Sequence, residues 1–133
     1  MRGPAKSQSL LRPETIERLA LDFEIGFYEA VLGLDPEHVD ALETLGNAYT
    51  RKGRVEDGLR VDQKLVSLLP DSPVAHYNLA CSYSLLDDAD RALGSLERAI
   101  RLGYKDFKHL ERDPDLEKLR KDRRFAALIK RYA

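Results

Sequence analysis

The groups with the most reactive chemistry are few: one cysteine, Cys81, and three histidines, His38, His76 and His109. A nucleophilic thiol needs a base beside it. No histidine stands at a local helical spacing from Cys81, so an inert small filler is its expected role. The histidines fall 38 and 33 residues apart with no second ligand type grouped around them, the wrong pattern for a metal centre. No cofactor is expected either, because the sequence holds no glycine-rich phosphate loop, no Gly-x-Ser-x-Gly run and no His-Glu-x-x-His run. What remains is hydrogen-bonding chemistry rather than that of an enzyme. Asp40, Glu43, Thr44, Asn47, Thr50 and Arg51 form one line at steps of three and four, and Val74, Tyr77, Asn78, Cys81, Ser84 and Leu85 form another.

The elements that carry these lines are two copies of one unit. An offset of 34 superimposes Ala41 on Ala75, Leu45 on Leu79, Tyr49 on Tyr83, Leu59 on Leu93 and Leu68 on Leu102. Gly46 falls on Ala80 and Gly58 on Ala92, so two small positions recur in the same register. A fixed period of this length marks stacked supersecondary units. The small residues let two helices approach closely, and the Leu and Tyr side chains fill the space around the crossing.

Leu42-x2-Leu45-Gly46-x2-Tyr49 with Gly58 and Pro70, and His76-x2-Leu79-Ala80-x2-Tyr83 with Ala92 and Leu96, resemble the tetratricopeptide (TPR) signature of paired antiparallel helices. The resemblance implies an all-α fold, a right-handed superhelix of two full repeats closed by helical caps. Two positions depart from the pattern: Asp62 stands where the family carries an aromatic, and Tyr104 where the first copy has Pro70. In TPR proteins the first helix of each repeat lines a concave groove that receives an extended peptide or a partner helix. The implied function is non-catalytic, an interaction module or assembly adaptor for another protein. Glu43, Asn47, Thr50, Arg51, Tyr77, Asn78, Cys81 and Ser84 would line that groove, with Tyr77 as an aromatic anchor.

TPR domains that grip a C-terminal carboxylate use Lys-x3-Asn, then Asn, then Lys-x3-Arg in successive repeats. The corresponding residues here are Glu43-x3-Asn47, Asn78 and Lys108-x3-Arg112. Amide, ammonium and guanidinium donors suit a carboxylate, but Glu43 puts a negative charge where the family has a cation.

Around the repeats, the spacing predicts a helix over 13–34 from Ile16, Leu19, Ala20, Phe23, Phe27, Ala30, Val31 and Leu34, with Pro13 in its first turn. It aligns with the second helix of a repeat and is expected to cap the stack. Repeat 1 spans 35–72, its first helix opening at Asp35-Pro36, and repeat 2 spans 73–104, opening at Ser72-Pro73. Residues 105–133 form the other cap, using the apolar Leu110, Leu116, Leu119, Phe125 and Leu128, and residues 1–12 are a disordered lead-in. With 22 basic against 23 acidic residues the balance argues against nucleic acid as the main partner. The excess is uneven: 35–104 hold 8 basic and 12 acidic groups, whereas 105–133 hold 10 and 6. No apolar run approaches 18 residues, so no membrane span is expected. A lone cysteine fits a reducing cytoplasm. Two complete repeats are few for a solenoid, and an incompletely covered end leaves a homodimer, a self-assembling scaffold, as the alternative.

Overall fold

The computed structural model describes residues 12–133, so apart from Arg12 the expected lead-in lies outside the described residues. Among the described residues eight α-helices follow one another: α1 Pro13–Leu34, α2 Val39–Lys52, α3 Val55–Leu68, α4 Pro73–Leu85, α5 Ala89–Arg101, α6 Phe107–Leu110, α7 Glu117–Arg120 and α8 Arg123–Tyr132, with a 3-10 turn at Pro114–Leu116 before α7. No strand occurs among them. Each long helix packs on the next, α1 on α2, α2 on α3, α3 on α4 and α4 on α5, and α8 returns to α5. The result is an α-α solenoid. No helix among the described residues is long and apolar enough to cross a membrane.

The turns show why the units repeat. Gly53 ends α2 with φ 87°, and Asp87, one 34-residue period later, ends α4 with φ 61°. Both occupy the left-handed region, which glycine enters freely and aspartate tolerates. Ser72 caps α4 by accepting from the Ala75 N–H at 3.1 Å, and Asp88 caps α5 through the Arg91 N–H at 3.2 Å. The start of α2 differs from expectation. Asp35 is used to stop α1, its N–H donating to the Val31 carbonyl at 2.9 Å, so the chain needs one more turn before the next helix begins. His38 is therefore the cap, its Nδ1 accepting from the Ala41 N–H at 3.1 Å.

Contacts between elements also recur with the period. The Tyr49 hydroxyl donates to Glu29 at 2.5 Å, and Tyr83 accepts from the Gln63 amide at 3.3 Å, so each pair is the other shifted by 34. At the far end, Arg124 binds Asp90 at 2.7 Å and Arg131 binds Glu97 at 3.1 Å, partners one period apart. Thus α1 stands before α3, and α8 after α5, as neighbouring repeats would.

Two apolar cores result. One joins Ile25, Leu42, Leu45, Val61 and Leu65; the other joins Leu96, Ile100, Leu110, Leu116, Leu119, Phe125 and Leu128. The small residues act at the crossings. A Cβ on Gly46 would lie 3.3 Å from both Asp62 Oδ1 and Val61 Cγ1, and one on Gly58 would lie 3.1 Å from Thr50 Oγ1. Gly46→Leu is expected to cost about 1–3 kcal/mol by overpacking. Urea unfolding with an unchanged midpoint would show that the α2–α3 crossing is wrong.

The stripe that predicts α1 is not the side it buries. Ile25 is buried, with Leu21, Tyr28 and Leu32 packed beside it, whereas Ile16, Leu19, Phe23, Phe27 and Leu34 are exposed.

Candidate functional site

Between α2, α4 and the turn after α6 lies an open cavity of about 430 Å³. Asn47, Thr50 and Arg51 line it from α2, Asn78 and Cys81 from α4, and His109, Asp113 and Asp115 from the far end. Its floor holds Gly46, Asp62, Tyr77 and Ser82. Of the two lines of residues read from helical spacing, Asn47, Thr50 and Arg51 face Tyr77, Asn78, Cys81 and Leu85 across this hollow, whereas Asp40, Thr44 and Val74 do not line it.

Four of the expected residues stand elsewhere. Glu43 is half-buried on α2 but does not line the cavity. Ser84 is 2 % exposed and turns away, into a small recess with Asp87, Ala89, Lys118 and Leu119, where its Oγ has no hydrogen-bond partner. Lys108 and Arg112 are exposed and outside the cavity. The reason lies in α6, which ends at Leu110 as that fully buried side chain is drawn into the core. Arg112 then falls beyond the helix, and the next turn brings Asp113 and Asp115 to the cavity where a basic pair was expected. Arg120 fixes this turn by donating to the Leu110 and Asp113 carbonyls at 3.0 and 2.8 Å.

Tyr77 is committed too. It is buried, stacks on Tyr104 with ring centres 4.5 Å apart and planes within 3°, and its hydroxyl donates to Asp113 Oδ2 in a short hydrogen bond. Burial, then the charges around it, push its pKa well above the ordinary phenol value. It serves as the floor of the cavity rather than as a free anchor.

The electrostatics are acidic. Asp62 is 7 % exposed and accepts from the Ser82 hydroxyl at 2.5 Å. Burial pushes its carboxyl up to about 6, and the Ser82 hydrogen bond only partly offsets this. Asp115 is also raised, by burial and by the nearby Asp113 charge. Against three carboxylates stand His109, 3.1 Å from Asp113, and Arg51, whose guanidinium is already gripped by Glu24 at 2.9 and 3.0 Å.

Cys81, Asp113 and Asp115 bring potential metal ligands within 4.8 Å of one another. They do not make a good cation site. Asp113 Oδ2 already receives Tyr77 and lies 3.9 Å from the Cys81 thiol, while its Oδ1 accepts from the Asp115 N–H at 2.9 Å. Burial holds the thiol's pKa well above its usual value, so the thiolate a metal needs is disfavoured. The three histidines do not gather: His38 caps α2, His76 contacts the Pro70 carbonyl at 2.8 Å, and only His109 reaches the cavity.

No family model matches the chain. It is 38% identical over 90 residues to a chloroplastic protein of Arabidopsis thaliana, a match covering 65% of this chain and 27% of that protein. It is 35% identical over 92 residues to the peroxisomal targeting signal receptors of Komagataella phaffii and Komagataella pastoris, covering 68% of this chain and 16% of each. The chain thus spans about a quarter of the first relative and a sixth of the others. The fold is an α-α solenoid of helical repeats, and the similarity to these relatives covers only a part of each.

Sequence reasoning missed Asp62, His109, Asp113 and Asp115 as cavity residues. For Asp62 there was a signal, since it departs from the aromatic of the repeat pattern. Asp113 read only as a cap, a role it does fill, and its second role depends on a contact with Tyr77 across 36 residues.

Proposed function

We propose that this domain is a non-catalytic interaction module whose cavity takes an extended segment of another protein. The observation that carries this reading is the convergence of Asn47 and Asn78, amides from two successive hairpins, on one open hollow. An amide can donate to and accept from a peptide backbone at once, which is the chemistry an extended ligand requires. One relative is named as a receptor for a targeting signal, and a comparable task fits this fold.

The acidic floor refines the ligand. Three carboxylates and a spent arginine favour a segment offering N–H donors or a lysine or arginine side chain, and disfavour a terminal carboxylate. Cys81 is a poor nucleophile here, because it is buried and burial raises its pKa. A self-assembling scaffold is the second reading, favoured by the bare apolar side of α1.

The test is capture of partners from a native lysate on immobilised protein, with Asn47→Ala/Asn78→Ala as the comparison. Loss of two amide contacts is expected to weaken a groove ligand roughly tenfold to a hundredfold. A partner retained equally by both forms would remove the groove from the account.

A further inference from the structure

We propose that the floor of the cavity is a socket for one lysine side chain of the bound segment, whose ammonium pairs with Asp62. The inference rests on the groove reading and narrows it to one residue type at one point. Asp62 stands on α3 and Ser82 on α4, where the two repeats meet. The repeat itself shows what such a junction needs. One period later the same pair is Leu96 and Leu116, both fully buried in one apolar core, and one period earlier it is Tyr28 and Ala48, which pack in the other. Apolar side chains serve the packing on either side. An acid with a hydroxyl replaces them only at the middle junction, the one of the three that lines the cavity.

The acid is only half satisfied within the chain. Asp62 is 7% exposed, and Ser82 donates to its Oδ2; its Oδ1 receives no hydrogen bond among the described residues. Gly46 keeps that oxygen uncovered, since a Cβ there would stand 3.3 Å from it, and the second copy carries Ala80 in the same register. A buried charge is tolerated when a partner answers it, so this oxygen calls for a cationic donor. The cavity's own cations do not supply one. Arg51 is held by Glu24, and His109 stands against Asp113.

Lysine fits this point better than arginine. With Oδ2 taken by Ser82, Asp62 offers one oxygen, whereas a guanidinium is best held by both oxygens of a carboxylate at once. An ammonium is a point charge whose three donors can reach separate acceptors. The amides of Asn47 and Asn78 and the carboxylate of Asp115 line the same hollow as Asp62. Its volume of about 430 Å³ admits the four-carbon stem, for which Tyr77 and Leu85 provide apolar surface.

A pool of random nonapeptides with acetylated and amidated ends, passed over the immobilised full chain, tests the socket by the composition of what is retained. Lysine is expected to be enriched at one position, above arginine. The best retained peptide, remade with that lysine as arginine or methionine, should bind roughly tenfold more weakly in fluorescence anisotropy. Asp62→Asn keeps the acceptor for Ser82, and Gly46→Ala sets a methyl group against Oδ1 while leaving the charge in place. Each is expected to weaken the lysine peptide roughly tenfold, with urea unfolding showing that both variants fold. In Asp62→Asn the affinity should fall while stability rises, a split that a merely structural role does not give. Retention of no peptide, or retention untouched by Asn47→Ala/Asn78→Ala, removes the groove reading and this inference with it. Groove-dependent retention without a lysine preference, a preference for arginine, or a lysine preference that survives in either variant overturns the socket alone.

Discussion

Leu116→Ala is expected to lower folding stability by about 2–5 kcal/mol, read as a fall in the urea midpoint. The side chain is fully buried in the 3-10 turn that packs on α4, among Leu96, Leu110 and Leu119. Removing it loses the transfer free energy of three carbons and leaves a cavity that rigid neighbours on α4 and α5 cannot close. The consequence extends to the groove. Asp113, three residues earlier, caps the same turn and holds Tyr77, so a loosened turn should also weaken any ligand held at that end. A loss below about 1 kcal/mol would mean that the tail does not dock on the second repeat as described.

Asp62→Asn is expected to stabilise the protein at pH 7 by about 2–3 kcal/mol. The folded-state pKa of this carboxyl is near 6, whereas the ordinary value is 3.8. Below about pH 4 the group is protonated whether folded or unfolded, and burial carries no ionisation cost. Between about 4 and 6 the unfolded chain releases the proton while the folded protein retains it, so stability falls as pH rises. Above about 6 the cost is complete: about two units at roughly 1.4 kcal/mol each. Asparagine keeps the acceptor for Ser82 and never ionises. The gap between variant and natural protein should therefore open from about pH 4 to 7, measured by urea unfolding at several pH values. A variant less stable than the natural protein at pH 7 would show that the Asp62 charge is compensated rather than tolerated. With the expected outcome, Asp62 sits at the cavity floor at a cost to stability, the pattern expected where a site uses a charge.

Much of this protein is legible in the chain alone. Period-34 identities, small residues at two crossings and the cap-then-proline pair at Ser72-Pro73 fix helices α2 to α5 to within a few residues, because each signal is local. Local chemistry also explains the ends of α4 and α5, where Asp87, Asp88 and Gly103 carry their conformations in their own residue types. The tail's Leu110, Leu116, Leu119, Phe125 and Leu128 were readable as one apolar side of short helices, and all five are buried.

Tertiary structure decided what depends on distance along the chain. Spacing places Lys108 and Arg112 one turn apart, but α6 stops after four residues when Leu110 is drawn into the core, and acids reach the groove instead. Tyr77 looks free on its helix and is claimed by Tyr104, at the end of the second repeat, and by Asp113 from the tail. For α1 the sequence determined the helix but not its buried side, since two apolar stripes share it. The structure chose Leu21, Ile25, Tyr28 and Leu32, whose register lets Glu29 meet Tyr49 and Glu24 meet Arg51, and left the larger aromatic stripe outside. Hydrophobicity alone cannot make that choice, because burial is decided by which face also satisfies the polar groups of the neighbour.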